Sequence, residues 1–95
     1  MDRAEVYIAK LGDYSTLGSP LDDYQQQSWD KVTEGLKTAL ATQSNTFVTE
    51  FMDAGGLEGL MKFLDKMDEE MRHTSVHTNL VACVKALMNN SVRNY

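Results

Sequence analysis

The sequence predicts an all-α protein, and three observations carry that expectation. Apolar residues recur at spacings of three and four, no segment alternates like a half-buried strand, and the breaks between periodic stretches are short. The clearest case is residues 76–90, VHTNLVACVKALMNN, where Val76, Leu80, Cys83, Val84, Leu87 and Met88 fall on one face of a helix. Thr74 and Ser75 just upstream can accept hydrogen bonds from the unpaired amides of its first turn. Two asparagines close the run, and asparagine tolerates the left-handed conformation that ends many helices. So wide an apolar face buries well only if other helices cover it.

The rest of the chain supplies candidates for that cover. Residues 2–11 read as a short helix with an apolar patch of Val6, Tyr7, Ile8 and Leu11. Gly12 is read as its stop, and GDYSTLGSP, rich in breakers, as a loop. After Pro20, the acidic pair Asp22 and Asp23 suits the positive end of a helix dipole. Residues 21–42 then repeat the helical pattern through Leu21, Tyr24, Trp29, Val32, Leu36, Ala39 and Leu40, over about 30 Å at 1.5 Å per residue. Gly35 weakens that helix by about 1 kcal/mol against alanine, so a kink or a close approach is expected there.

Ser44 and Asn45 offer a cap for TFVTEFMDA, whose Phe47, Val48, Phe51 and Met52 face one way, and Gly55-Gly56 ends it. Leu57, Leu60, Met61, Leu64, Met67 and Met71 form a stripe along a further helix of about four turns. The acidic run Asp65, Asp68, Glu69 and Glu70 reads as its solvated side, and RHTS breaks the pattern before the last helix. Residues 44–90 thus hold three helices of unequal length in the span of one armadillo-type repeat. Such a unit needs stacked neighbours. The expectation is an armadillo-like helical repeat fragment preceded by N-terminal helices, cut from a longer solenoid. Its last helix would lack a neighbour on one side and favour a homodimer.

Bulk properties narrow the function. Ninety-five residues make one small domain or a piece of a larger one. A net charge of −5 argues against nucleic acid, which needs a basic stripe, and against an anionic membrane surface. No apolar run is long enough to span a bilayer and MDRAEVY is no signal peptide. The single cysteine, Cys83, excludes an internal disulfide and fits a reducing cytosol. On an apolar helical face it is expected to be a buried, inert thiol. His73 and His77 have the spacing of two metal ligands, but no third ligand and no HExxH pattern accompany them. Six methionines at helical spacing suit a core better than a binding groove. No nucleophile elbow, phosphate loop or glycine fingerprint occurs, so neither an enzyme nor a cofactor is expected.

Pattern alone ends at a helical interaction domain, and resemblance extends it. FVTEFMDAGGLEGLMKFLDKMD followed by HTNLVACVKALMNN closely resembles the first armadillo repeat of the diaphanous-related formins. In that family an aromatic-Val-x-x-Phe helix leads into a Gly-Leu-x-x-Leu helix, and a Cys-x-Lys-Ala-hydrophobic-Met-Asn-Asn helix ends the repeat. LATQSNTFV is most like the disheveled-associated subgroup, and EVYIAKL resembles the Tyr-x-x-x-Leu opening of the family's GTPase-binding region. The match is dense over residues 36–90 and sparse over 1–35.

The resemblance implies a GTPase-binding helical region over residues 1–43 and, over 44–95, the first armadillo-type repeat of a diaphanous inhibitory domain. It implies a cytoplasmic, cytoskeleton-associated regulator of actin assembly. The implied partner is a GTP-loaded Rho-family protein docked at Thr38, Thr42 and Gln43, with the Tyr7 and Leu11 region beside them. Many diaphanous members carry an asparagine cluster where this chain has Ala41, Thr42 and Gln43, a departure that bears on partner choice. A C-terminal autoregulatory helix of the same protein would lie against Lys85 and Asn89. Without the resemblance, Thr42 and Gln43 read as a helix end and Lys85 and Asn89 as a solvated face. The competing function is a structural helical adaptor with no nucleotide-dependent partner.

Overall fold

A computed structural model describes residues 4–16, 22–42 and 45–93, with side chains as far as Tyr14 in the first helix and Asn89 in the last. These residues form α1 (Ala4–Thr16), α2 (Asp23–Thr42), α3 (Asn45–Asp53), α4 (Gly56–Lys66) and α5 (Ser75–Arg93), with a 3₁₀ turn at Met71–His73 before α5. The fold is all-α, as the periodicity predicts.

The first helix runs past Gly12 to Thr16, where the sequence suggested a loop. A glycine inside a helix costs about 1 kcal/mol. Continuing the helix buries Tyr14, 6% exposed, in face-to-face contact with Phe63 at a centroid distance of 3.5 Å. Burial of a large apolar side chain is worth about 1.5–3 kcal/mol, so packing wins over propensity. The remainder of the expected loop, with Pro20 and Leu21, lies outside the described residues.

The second helix starts on a reciprocal cap. Asp22 Oδ1 accepts the Gln25 backbone N–H at 2.7 Å, and Gln25 Oε1 accepts that of Asp22 at 3.1 Å. It is unbroken over 20 residues. At Gly35 the expected close approach is found: a Cβ there would stand 3.1 Å from the Tyr7 hydroxyl oxygen. The inner face carries Trp29, Thr33, Leu36, Ala39 and Leu40, whereas Tyr24, placed by periodicity on the apolar side, is 82% exposed.

Between α3 and α4 the chain turns at Gly55, whose φ of +85° is left-handed and which donates its N–H to the Met52 carbonyl at 3.0 Å. Gly56 sits against the Phe51 ring so closely that a Cβ would fall within 2.6 Å of three ring carbons. The following helix is shorter than its apolar stripe suggested, stopping at Lys66. Met67 is extended, at ψ 131°. The stripe nonetheless keeps Met67 and Met71 buried because the chain re-coils. Asp68 Oδ1 accepts the Met71 N–H at 2.8 Å, and the Thr74 hydroxyl donates to the Met71 carbonyl at 2.6 Å. Asp68 is therefore a cap within the acidic run, and Thr74 closes the 3₁₀ turn. Met61 and Met88, counted as apolar-face residues by spacing, are 51% and 62% exposed.

In the assembled molecule α2 lies along α5, and α1 lies across α3 and α4. All buried apolar residues join one cluster, so the helices of residues 4–42 and those of 45–93 share a single core. Rings connect α1 to its neighbours: Tyr7 meets Phe47 edge-on at 6.3 Å, and Trp29 meets Tyr14 and Phe63 edge-on at 5.7 and 5.0 Å.

Candidate functional site

Thr38 and Thr42 stand one turn apart at the end of α2, and both are exposed. The Thr42 hydroxyl donates to the Thr38 carbonyl at 2.7 Å, so its proton is committed to backbone while its oxygen still has lone pairs for an outside donor. Across the corner, Asn45 and Thr46 at the start of α3 are exposed as well. The result is an uncharged rim of hydroxyls and amide. Gln43 lies outside the described residues.

Tyr7 and Leu11 sit elsewhere. They are 6% and 5% exposed, inside the core between α1 and its neighbours. Tyr7 packs between Gly35 of α2 and Phe47 of α3, and Leu11 packs over Gly59 of α4. Their side chains fix the position of α1 and present almost no surface to a partner; Val6, at 36%, is an exposed large apolar residue on that helix.

On α5, Lys85 and Asn89 are exposed, one turn apart, with exposed Met88 beside Asn89. The outward side of the helix thus offers a cation, an amide and a thioether. Its inward side holds Val76, Leu80, Cys83 and Leu87, none more than 1% exposed. Cys83 is buried as its spacing predicts. Burial pushes its pKa up to about 12, against a smaller downward pull from the Lys37 ammonium. A thiol so poised is not a nucleophile at neutral pH. His73 is exposed and His77 half-buried, and among the described residues no group of three His, Cys, Asp or Glu side chains is placed to hold a metal ion.

A polar cluster that periodicity did not reveal ties α2 to α5. Asn79, 6% exposed, donates from Nδ2 to Asp30 Oδ1 and Thr33 Oγ1, both at 3.2 Å, with the Asp30 carbonyl at 3.4 Å. Thr33, fully buried, sends its own proton to the Trp29 carbonyl at 2.7 Å. The one sequence signal was positional: Asn79 sits three after Val76 and four before Cys83, inside the apolar face. Tyr14 was missed likewise, though it follows Tyr7 by two helical turns. Its pKa is raised by burial and then by the Asp68 carboxylate.

Comparison with known proteins adds a different kind of observation. A family model described as the diaphanous GTPase-binding domain matches residues 2–92. The chain is 42% identical over 89 residues to disheveled-associated activator of morphogenesis 1 of Homo sapiens and of Mus musculus. It is 39% identical over 89 residues to disheveled-associated activator of morphogenesis 2 of Homo sapiens. Each alignment covers 92% of this chain and 8% of the relative, so the chain corresponds to a small part of those proteins. No solved structure matches. Among the described residues no helix is long and apolar enough to cross a membrane.

Proposed function

The chain belongs to the family of diaphanous GTPase-binding domains, and from that premise we propose that it is part of a formin's regulatory N-terminal region. In this reading it binds a GTP-loaded Rho-family protein and takes part in autoinhibition of actin assembly in the cytoplasm. The observation that carries the reading is the family match over residues 2–92, nearly the whole chain. Residues 1–43 form the GTPase-binding helical region and residues 44–95 the first armadillo-type repeat, the two sharing one core.

The GTPase docks on the α2–α3 corner, at Thr38, Thr42 and the neighbouring Gln43. Exposed hydroxyls there supply acceptors without fixed charge, so the contact depends on hydrogen-bond geometry more than on long-range attraction. Tyr7 and Leu11 contribute from beneath by holding α1. A C-terminal autoregulatory helix of the same protein meets the outward side of α5. Lys85 pairs with an acidic residue of that helix, and Asn89 and Met88 meet its polar and apolar positions. If GTPase and tail favour opposite states of the intact protein, each weakens the other by the same factor.

Retention of this chain on immobilised Rho-family proteins tests the reading directly. Binding is expected to the forms loaded with a GTP analogue and not to the GDP forms. Thr42→Asp should weaken it by about 1–3 kcal/mol, the cost of spoiling a buried polar contact. Equal retention in both nucleotide states would favour the structural adaptor instead.

A further inference from the structure

Three helix ends meet at the corner that carries Thr38 and Thr42. As α1 advances from Tyr7 to Tyr14, the α2 residue it meets goes back from Gly35 to Trp29. The two helices therefore run in opposite directions, and the start of α1 lies towards the end of α2. The edge contact of Tyr7 with Phe47 at 6.3 Å holds that same end of α1 against the first turn of α3. Val6, next to Tyr7, is thus carried to the end of the molecule where Thr38, Thr42, Asn45 and Thr46 are exposed.

Among the described residues the exposed large apolar side chains are Val6, Tyr24, Met61 and Met88. Only Val6 belongs to a helix end that forms the corner. Tyr24 is about 27 Å from Thr42 along α2, at 1.5 Å per residue, and Met61 and Met88 are on α4 and α5. Valine suits the role of an anchor. In a helix it holds essentially one side-chain rotamer, so covering it costs little entropy. Being β-branched and only partly buried, it gives α1 itself little in return. Beside it, Thr42 is left as an acceptor, because its proton goes to the Thr38 carbonyl. A protein face that seats here brings donors to the hydroxyl oxygens and an apolar side chain to Val6.

We infer that Val6 is the apolar anchor of the GTPase contact, forming one patch with Thr38 and Thr42. The inference rests on the GTPase reading and brings a residue of α1 into direct contact with the partner. In this arrangement α1 meets the GTPase through Val6, while Tyr7 and Leu11 hold the helix in place.

The test is the affinity of Val6 variants for each Rho-family protein, loaded with a GTP analogue, that binds the parent chain. Val6→Asp should weaken binding by about tenfold or more, because it sets a carboxylate against an apolar side chain. An acidic residue suits the first turn of a helix, so this variant should keep its helical signal. Val6→Ala, which removes two methyl groups without adding charge, should weaken binding about threefold and decides the matter if Val6→Asp unfolds. Val6→Leu should bind like the parent. Met61→Asp, an equally exposed apolar position on α4, should do so too. Suppose the parent binds and Thr42→Asp weakens it, while both Val6→Asp and Val6→Ala bind like the parent. The anchor is then overturned and the GTPase reading stands. A loss as large in Met61→Asp as in Val6→Asp would also overturn the anchor, as an effect of added charge alone. A parent chain that binds no Rho-family protein in either nucleotide state would overturn both.

Discussion

The two sides of the core are held by different chemistry. Where α1 crosses α3 and α4, the contacts are rings: Tyr7 on Phe47, and Tyr14 on Phe63 with Trp29 set against both. Where α2 lies along α5, the buried residues are mostly aliphatic, Leu36, Ala39, Leu40, Val76, Leu80 and Leu87, with Thr33, Cys83 and Asn79 set among them. Ring contacts contribute area and tolerate a range of angles. Among the described residues the amide of Asn79 donates to Asp30 and Thr33, which ties it to one register of α5 on α2. The ring side thus supplies mass, and the seam supplies position.

The largest test of that division is Phe63→Ala, which removes the ring both Tyr14 and Trp29 touch. It is expected to cost about 3–5 kcal/mol, read from denaturant midpoints. Asn79→Ala should cost less, about 1–3 kcal/mol, since it leaves buried acceptors short of a donor. Asn79→Leu sharpens the contrast further. It restores apolar volume, so stability should recover in part, whereas broadened α5 amide resonances would report the loss of a single register. Sharp, parent-like spectra for Asn79→Leu would show that leucine packing alone fixes the register.

Alkaline pH separates the sides by titration. The Cys83 pKa rises from 9.0 to about 12 on folding, so the unfolded chain loses this proton first. Its contribution is complete below pH 9 and is lost as pH rises from 9 towards 12. Tyr14, raised from 10.0, loses its contribution only above that value. Stability should therefore start to fall near pH 9, and Cys83→Ala should flatten that first part of the slope. Smallest of all are Thr42→Asp and Lys85→Ala, both at exposed positions. Each should shift stability by less than about 0.5 kcal/mol, so any effect on binding is not an effect on folding.

Element type was legible wherever apolar residues kept helical spacing, as in α2, α3 and α5. Boundaries were not, because distant partners decide them: Phe63 extends α1 past Gly12, and Asp68 with Thr74 re-coils the chain after α4. Spacing also marks which residues share a face but not how far that face is covered, so Tyr24, Met61 and Met88 were read as interior. The polar cluster of Asp30, Thr33 and Asn79 escaped because spacing shows only that Asn79 falls inside the apolar face of α5, not which acceptors of α2 meet it. For the candidate site, spacing put Tyr7 and Leu11 in the apolar patch of α1 and Lys85 and Asn89 on the outward face of α5; only the family resemblance assigned them, with Thr38 and Thr42, to a partner.

The reciprocal bonds between Asp22 and Gln25 have a practical corollary for engineering. Both amides are satisfied within the same four residues, so α2 begins without help from whatever precedes it. A tag, a flexible spacer or a reporter domain spliced in just ahead of Asp22 would leave that start intact. The α1 segment would then be a tethered module that could be lengthened, swapped or supplied as a separate peptide.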